Sequence, residues 1–293
     1  MRYTILHRTV YRYSERVSDS HHLARLAPVN CVSQLTDTFR LKVLPEPDLL
    51  TTRTDYFGNE TTFFSITSPH TELSIESYSQ IQLLEKVAPI LSESRPWEEV
   101  RAVLRQSTLR SDIAAAEFSF ESPLCPVNEE LASYARPSFP EGRPLLEGVH
   151  DLMQRIFNEF RFDNSASNVT TAVMSTFEKR AGVCQDFAHL MISCLRSLGL
   201  AARYVSGYLR TDPPPGRPRL VGADASHAWV DVYDPDLGWQ EFDATNNVIP
   251  HLDHIKTALG RDYHDICPIR GTVYGGGRQT LKIGVTVTPL DNA

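Results

Sequence analysis

Residues 184–198 constrain the fold more than any other segment, because their apolar side chains recur at the spacing of one helix face. These side chains, at i, i+3, i+4, i+7, i+8 and i+11, are Phe187, Leu190, Met191, Cys194, Leu195 and Leu198. Gly199 follows as a C-terminal cap. Three β-like stretches come next, at 203–210, 226–233 and 239–244, and the proline-rich stretch 213–218 predicts a loop between the first two. We expect one helix buried against an antiparallel sheet.

The N-terminal third of the chain has the alternating pattern of β-strands. Tyr3, Ile5, His7, Thr9, Tyr11 and Tyr13 share one side of the first run, and further β-like stretches are 39–44, 61–67 and 73–84. Helical spacing follows at 97–106, 128–135 and 146–160, and alternation returns at 272–289. The pattern predicts an α+β chain with a β-rich N-terminal module at 1–90 and a core at 91–293. No long Gly/Ser-rich linker separates the two, so we expect them to be structurally coupled.

Composition excludes several classes of protein. No run of 18 apolar residues occurs, so no membrane-spanning helix is expected. The first residues lack the apolar stretch of a secretory signal, which favours a cytoplasmic protein. The net charge is −7 without a basic run, so a nucleic-acid partner is not expected. The five cysteines form no CxxC pair, which disfavours a zinc ribbon and predicts free thiols.

Cys184 is the first candidate for chemistry, because it stands in the first turn of the predicted helix. A thiol there feels the positive end of the helix dipole, and such placement lowers a cysteine pKa from about 8.5 to roughly 3.5–7.5. The alternative is a small core residue, the ordinary role of a free cysteine. The polar neighbours Gln185 and Asp186 argue against plain core packing.

His227 and Asp243 are predicted to meet across a hairpin. His227 lies in the second β-like stretch, and the turn around Pro235 leads to the third stretch, where Asp243 lies. Folding the chain back about Pro235 sets residues whose numbers sum to about 470 opposite each other, which pairs His227 with Asp243 within a residue or two. A carboxylate in this position can hold an imidazole in one tautomer. A cross-strand ion pair without a catalytic role is the alternative.

Four segments give the chain a family resemblance. RAGVCQDFAHLMISCLRSLGLAARYVSGYL at 180–209 and SHAWVDVYDPDLGWQEFDATNN at 226–247 resemble the bacterial transglutaminase-like superfamily, whose core has a papain-like arrangement. DYFGNETTFFSITSPHTELSI at 55–75 resembles the bacterial transglutaminase-like N-terminal region, and GRDYHDICPIRGTVYGGG at 260–277 resembles the segment that follows the core. The resemblance implies a cysteine protease-like catalytic core with Cys184 as nucleophile, His227 as general base and acid, and Asp243 orienting the imidazole.

The resemblance leaves the reaction open. Attack on an amide gives a thioester, which water resolves in a thiol hydrolase and an amine resolves in a transglutaminase. We favour hydrolysis of peptide or amide bonds; acyl transfer is the alternative, and a non-catalytic peptide-binding scaffold is less favoured because all three residues are present. The backbone N–H of Cys184 is a candidate oxyanion donor. Trp229 and Trp239 could wall an amine tunnel, and Tyr204, Tyr208 and residues 212–221 could line the cleft.

No cofactor or metal is expected. His251 and His254 are three residues apart, but Pro250 precedes them and the sequence implies no further ligand. Residues 234–238 lack the alternating acidic ligands of a calcium loop. Gly275, Gly276 and Gly277 are interpreted as a hairpin or bulge signal, because no phosphate-loop Lys-Ser/Thr pair follows.

Overall fold

The computed structural model describes residues 1–211 and 225–290, and it begins with an antiparallel β-region. Its strands are β1 (Arg2–Ala24), β2 (Gln34–Leu44), β3 (Leu49–Thr54), β4 (Glu60–Ile66) and β5 (His70–Leu83). They lie in the order β2-β5-β1-β4-β3. The alternating residues Tyr3, Ile5, His7 and Thr9 are buried, as the sequence pattern predicts for one face of a half-buried strand.

Helices dominate the next hundred residues. They are α1 (Trp97–Gln106), α2 (Arg110–Ala116), α3 (Glu129–Ala135), α4 (Leu145–Glu159) and α5 (Val173–Lys179), with single 3₁₀ turns at Leu91–Glu93, Glu117–Ser119 and Arg136–Ser138. The two-residue strands β6 (Arg161–Phe162) and β7 (Ala181–Gly182) pair in parallel on either side of α5. The predicted helices at 97–106, 128–135 and 146–160 agree with α1, α3 and α4 to within a residue.

The core consists of one buried helix on a four-stranded antiparallel sheet. The helix is α6 (Cys184–Ser197), and the strands are β8 (Ala202–Leu209), β9 (Ala225–Asp234), β10 (Gly238–Phe242) and β11 (His254–Gly260), in the order β10-β9-β8-β11. The helix is more deeply buried than a single apolar face would require, since its polar residues His189, Ser193 and Arg196 are also buried. The reason is that α3, α4 and α5 also pack against α6, while β8 and β9 support it from the sheet.

The last elements return to the N-terminal sheet. They are the short helix α7 (Tyr263–Ile266), β12 (Ile269–Gly275) and β13 (Gln279–Pro289). Both strands pair with β1, β12 along its second half and β13 along its first half. Gly275, Gly276 and Gly277 all have positive φ, which other residues rarely adopt. Because β12 and β13 both pair with β1, the glycine run makes a bend between them and not a hairpin. The sheet of the N-terminal module therefore includes strands from both ends of the described chain.

Side chains also join this sheet to the core. Gln34 donates to the carbonyl of Lys256 at 2.8 Å and accepts from its N–H at 2.8 Å. Asn59 makes the same two contacts with Leu259, both at 2.8 Å. The buried His7 Nδ1 lies 2.8 Å from the hydroxyl of Tyr208. Because these groups are buried and pair across the junction, separating the two parts would leave several of them unsatisfied.

Candidate active site

Cys184 is held at the start of α6 by a local hydrogen-bond arrangement. Asp186 accepts from the backbone N–H of Val183 at 2.8 Å and from the hydroxyl of Ser167. Gly182 allows this close approach, because a Cβ on it would lie 2.8 Å from the Asp186 side chain. The Asp186 carboxylate thus fixes the entry of the helix, and the partly exposed Cys184 side chain follows from it.

His227 and Asp243 lie in contact, in a register two residues away from direct opposition. Gly238 pairs with Asp234 and Phe242 with Val230, so β10 is shifted by two residues from the predicted alignment. A shift of two keeps each side chain on its face of the sheet, so Asp243 reaches His227 diagonally. The imidazole Nε2 of His227 lies 2.7 Å from the carboxylate Oδ2 of Asp243, and both groups are buried.

Asp243 is saturated with hydrogen-bond donors. Its Oδ1 accepts from the backbone N–H of Thr245 at 2.9 Å and of Asn246 at 3.3 Å. Its Oδ2 accepts from the Asn246 side-chain amide at 2.7 Å and from Nε2 of His254 at 3.0 Å, besides His227. Burial alone would raise the pKa of Asp243, but the hydrogen bonds from His227 and His254 outweigh it, and the pKa lies below its ordinary value. The group is therefore a carboxylate at neutral pH.

The protonation of His227 follows from its partners. Burial disfavours its charged form, but the hydrogen bonds with Asp243 and with Cys184 outweigh it and raise the pKa of His227 from 6.5 to about 10. Because Nε2 donates to Asp243, Nδ1 is the ring nitrogen left for Cys184. The Cys184 side chain, the His227 imidazole and the Asp243 carboxylate thus form one continuous chain of contacts.

His254 is a member of this group that sequence reasoning missed. It begins β11, is buried, and packs its ring edge-on against Trp229 with centroids 5.2 Å apart. The sequence pattern predicts no strand at β11. It therefore indicates His254 only as a possible metal ligand together with His251, and the structure shows His251 to be exposed. The ligand atoms of His227, Asp243 and His254 lie within 4.8 Å of one another and could hold a metal ion. In the geometry described here, both imidazole nitrogens instead lie at hydrogen-bond distance from Asp243.

Cys184 and His227 open into one cavity of about 370 Å³. Of the aromatic residues singled out in the sequence, Tyr204 lines it, whereas Tyr208 packs with Ile5 and Ile255 in the core between the sheets. Trp229 is 1% exposed and donates to Glu241, so it does not wall the cavity. Trp239 packs on Phe118, Tyr233 and Arg203. Residues 212–221, which we expected to shape the cleft, lie outside the described residues.

A helix-borne cysteine facing an imidazole and carboxylate on an antiparallel sheet defines the class of papain-like and transglutaminase-like α+β proteins. Within that class, residues 3–82 match the bacterial transglutaminase-like N-terminal region and residues 133–244 match the transglutaminase-like superfamily. The chain therefore belongs to the transglutaminase-like superfamily, as its sequence motifs predict. The family supports a cysteine-dependent hydrolase or acyltransferase.

Relatives span either nearly the whole chain or about a quarter of it. An uncharacterized protein of Mycobacterium tuberculosis is 37% identical over 298 residues, covering 99% of this chain and 93% of the relative. The solved structure of a putative cysteine protease from Cytophaga hutchinsonii has a TM-score of 0.78 at 24% identity and covers 100% of this chain and 92% of its own, which confirms the fold. A protein-glutamine gamma-glutamyltransferase of Pseudomonas aeruginosa is 39% identical over 75 residues, which are 25% of this chain and 11% of that protein.

No helix within the described ranges is both long and apolar enough to cross a membrane. The cytoplasmic location stays a prediction.

Proposed function

We propose that the chain is a thiol hydrolase that cleaves peptide or amide bonds through a thioester on Cys184. The observation that carries the proposal is the pairing at His227. One ring nitrogen is fixed by Asp243 at 2.7 Å, and the other is left for Cys184 in the same cavity. This arrangement supplies a nucleophile, a proton carrier and an orienting carboxylate, which together are what acyl transfer through a thiol requires.

The first half of the reaction makes the thioester. The Cys184 thiolate attacks the carbonyl carbon of the substrate, and the carbonyl electron pair moves to oxygen. The oxyanion is stabilised by the backbone N–H of Cys184, because the first N–H groups of a helix have no acceptor within the helix. As the intermediate collapses, the C–N bond breaks and the imidazolium of His227 gives its Nδ1 proton to the leaving amine.

The second half restores the enzyme. The now neutral His227 takes a proton from water, and the hydroxide formed adds to the thioester carbonyl. Collapse of the second tetrahedral intermediate expels the Cys184 thiolate and releases a carboxylic acid. Asp243 stays ionised throughout, and it stabilises the imidazolium and keeps Nε2 protonated.

Hydrolysis is favoured over transfer by the packing of the two tryptophans. Transfer needs a second pocket that binds an amine and keeps water from the thioester. Trp229 is buried and donates to Glu241, and the partly buried Trp239 packs on Phe118 and Tyr233, so neither tryptophan is among the described residues that line the cavity. Acyl transfer to an amine remains the second candidate, since one relative of the core is a protein-glutamine gamma-glutamyltransferase.

The test offers peptides and glutamine-containing substrates together with an excess of a labelled primary amine. We expect cleaved or deamidated products without label, and we expect Cys184→Ala to abolish them. Label in most products, lost in Cys184→Ala, would identify a transferase. Turnover that persists in Cys184→Ala would remove Cys184 from the mechanism altogether.

A further inference from the structure

One wall of the catalytic cavity does not come from the core. It is built by two residues of β1, Thr9 and Tyr11, and by two residues of β13, Leu281 and Ile283. Tyr11 pairs with Leu281 and Thr9 pairs with Ile283 across the two antiparallel strands, so all four side chains share one face. We call these four residues the strand wall.

The strand wall lies on the face of β1 and β13 that is buried against the core further along the two strands. Two residues further along β13, Val285 and Val287 are fully buried between the N-terminal sheet and the core. Leu281 is 50% exposed and Ile283 is 56% exposed, although they lie on the same face. Within residues 1–211 and 225–290, this face is therefore left open to solvent where it reaches the cavity of Cys184. Apolar side chains in a concave site next to a nucleophile are the usual contact surface for an apolar ligand group.

Apart from the Cys184–His227 pair itself, the described part of the cavity offers no charged partner. Among the described residues that line it there is no Asp, Glu, Lys or Arg, and His7 at its base is buried, which lowers its pKa to about 4 and keeps it neutral at pH 7. A charged substrate side chain placed there would lose its hydration without gaining a partner. Lys282 is exposed and lies between Leu281 and Ile283, so its side chain belongs to the opposite face of β13.

We propose that the strand wall is a specificity subsite that binds an uncharged, apolar side chain of the acyl-donor peptide, within two residues of the scissile bond. The proposal rests on the proposed function, because the wall faces the cavity in which Cys184 would form its thioester. The N-terminal module and the last strand then select the substrate, while the core supplies the chemistry.

The experiment measures alkylation of Cys184 by acetyl-dipeptidyl chloromethyl ketones that carry Leu, Phe, Lys or Glu at either position. Adducts are mapped by mass spectrometry, because Cys267 lines the same cavity. Each rate is divided by the rate with iodoacetamide, so that the reactivity of the thiol cancels. At one of the two positions we expect Leu and Phe to react about tenfold faster than Lys and Glu, the gain typical of covering one additional apolar side chain.

Two variants of neighbouring residues make a matched pair. Leu281→Asp places a carboxylate in the wall and should reverse the preference toward Lys, whereas Lys282→Asp places the same carboxylate on the opposite face and should leave the preference unchanged. Leu281 is half exposed, so the substitution should be tolerated, and thermal melting checks this. If Leu281→Asp does not fold, Ile283→Thr is the second variant, and it should reduce the preference for Leu about threefold.

The outcomes separate this proposal from the proposed function. No adduct on Cys184 with any reagent, iodoacetamide included, would contradict the proposed function itself. Normal reaction with iodoacetamide but equal normalised rates for all four side chains would overturn the strand-wall proposal alone. The same would follow if Leu281→Asp and Lys282→Asp changed the preference equally.

Discussion

Asp243→Asn is the substitution whose consequences can be worked out furthest. The pKa of His227 is raised from 6.5 to about 10, and at about 1.4 kcal/mol for each pKa unit this corresponds to roughly 5 kcal/mol in favour of the imidazolium. Burial opposes the imidazolium, the hydrogen bond with Asp243 is the largest favourable contribution, and the hydrogen bond with Cys184 comes next. Without the carboxylate, the imidazolium loses its largest favourable contribution and the charge of Asp243, while burial still opposes it.

The amide cannot reproduce the hydrogen bonds either. Oδ2 of Asp243 accepts from three side-chain donors, and Oδ1 accepts from two backbone N–H groups. An asparagine has one acceptor oxygen, so its NH₂ group must face donors in either orientation. We therefore expect the turn after β10 to loosen and His227 to lose its fixed tautomer. A serine triad loses about 10⁴-fold on the equivalent change, and a cysteine nucleophile depends less on it, so we expect a loss of roughly 10²- to 10³-fold.

The assay follows the rate of Cys184 alkylation by iodoacetamide between pH 4 and 10, alongside turnover. In the wild type the imidazolium stays beside the thiol up to about pH 10. In Asp243→Asn, alkylation near neutral pH should slow, because the imidazolium of His227 beside Cys184 has lost the carboxylate that stabilises it. Asp236→Asn, on the exposed β9–β10 turn, makes the same change away from His227 and is the control. A folded Asp243→Asn protein with an unchanged alkylation profile and unchanged turnover would refute the reasoning.

Three further predictions follow from neighbouring features. His254→Phe keeps a ring against Trp229 but removes a hydrogen-bond donor to Asp243. Turnover should fall about tenfold, which is the worth of one hydrogen bond to a charged group. His254→Gln should recover part of the loss, and the control His251→Gln should have no effect on the pH–rate profile. Glu241 is buried against Lys86 and Lys256, which outweigh burial and lower its pKa from 4.5 to about 2. Its ion pairs thus stabilise the fold above about pH 4.5 and are lost as the pH falls toward 2. Glu241→Gln should therefore lower the free energy of unfolding in urea at pH 7 by about 3 kcal/mol. The variant should also lose less stability than the wild type between pH 4.5 and 2. A chain starting at residue 90 should be insoluble or melt far below the full chain, because β12 and β13 lose their pairing with β1; a soluble core with unchanged melting would contradict this.

The elements with strong local periodicity were predictable. The helix from Cys184 and the strands around it follow from apolar spacing, and the hairpin sets Asp243 near His227 because side chains alternate along a strand. The exact partner was not predictable, since a two-residue shift of β10 preserves every inward and outward position. The turn between β9 and β10 sets the observed alignment: Asp234 accepts from the N–H groups of Asp236 and Leu237, and Gly238, which has positive φ, pairs with Asp234.

Contacts distant in sequence account for what was missed. His254 reaches Asp243 because β11 pairs with β8, and no local pattern marks β11 as a strand. The pairing of β13 with β1 joins residues more than 260 positions apart, so alternation at 272–289 predicts a strand without identifying its neighbour. The role of Leu281 in the cavity wall could not be anticipated for the same reason.

The pairing of β13 with β1 also orders events during synthesis. Cys184, His227 and Asp243 all leave the ribosome before residues 279–289. The first half of β1 can pair with β5 early, but its other edge waits for β13 through nearly the whole of translation. Closing so long a loop is slow compared with forming the helix and hairpins of the core. A nascent chain can thus assemble its thiol and imidazole before Leu281 and Ile283 arrive. Discrimination among substrates would then be the last property that the growing polypeptide acquires, after reactivity itself.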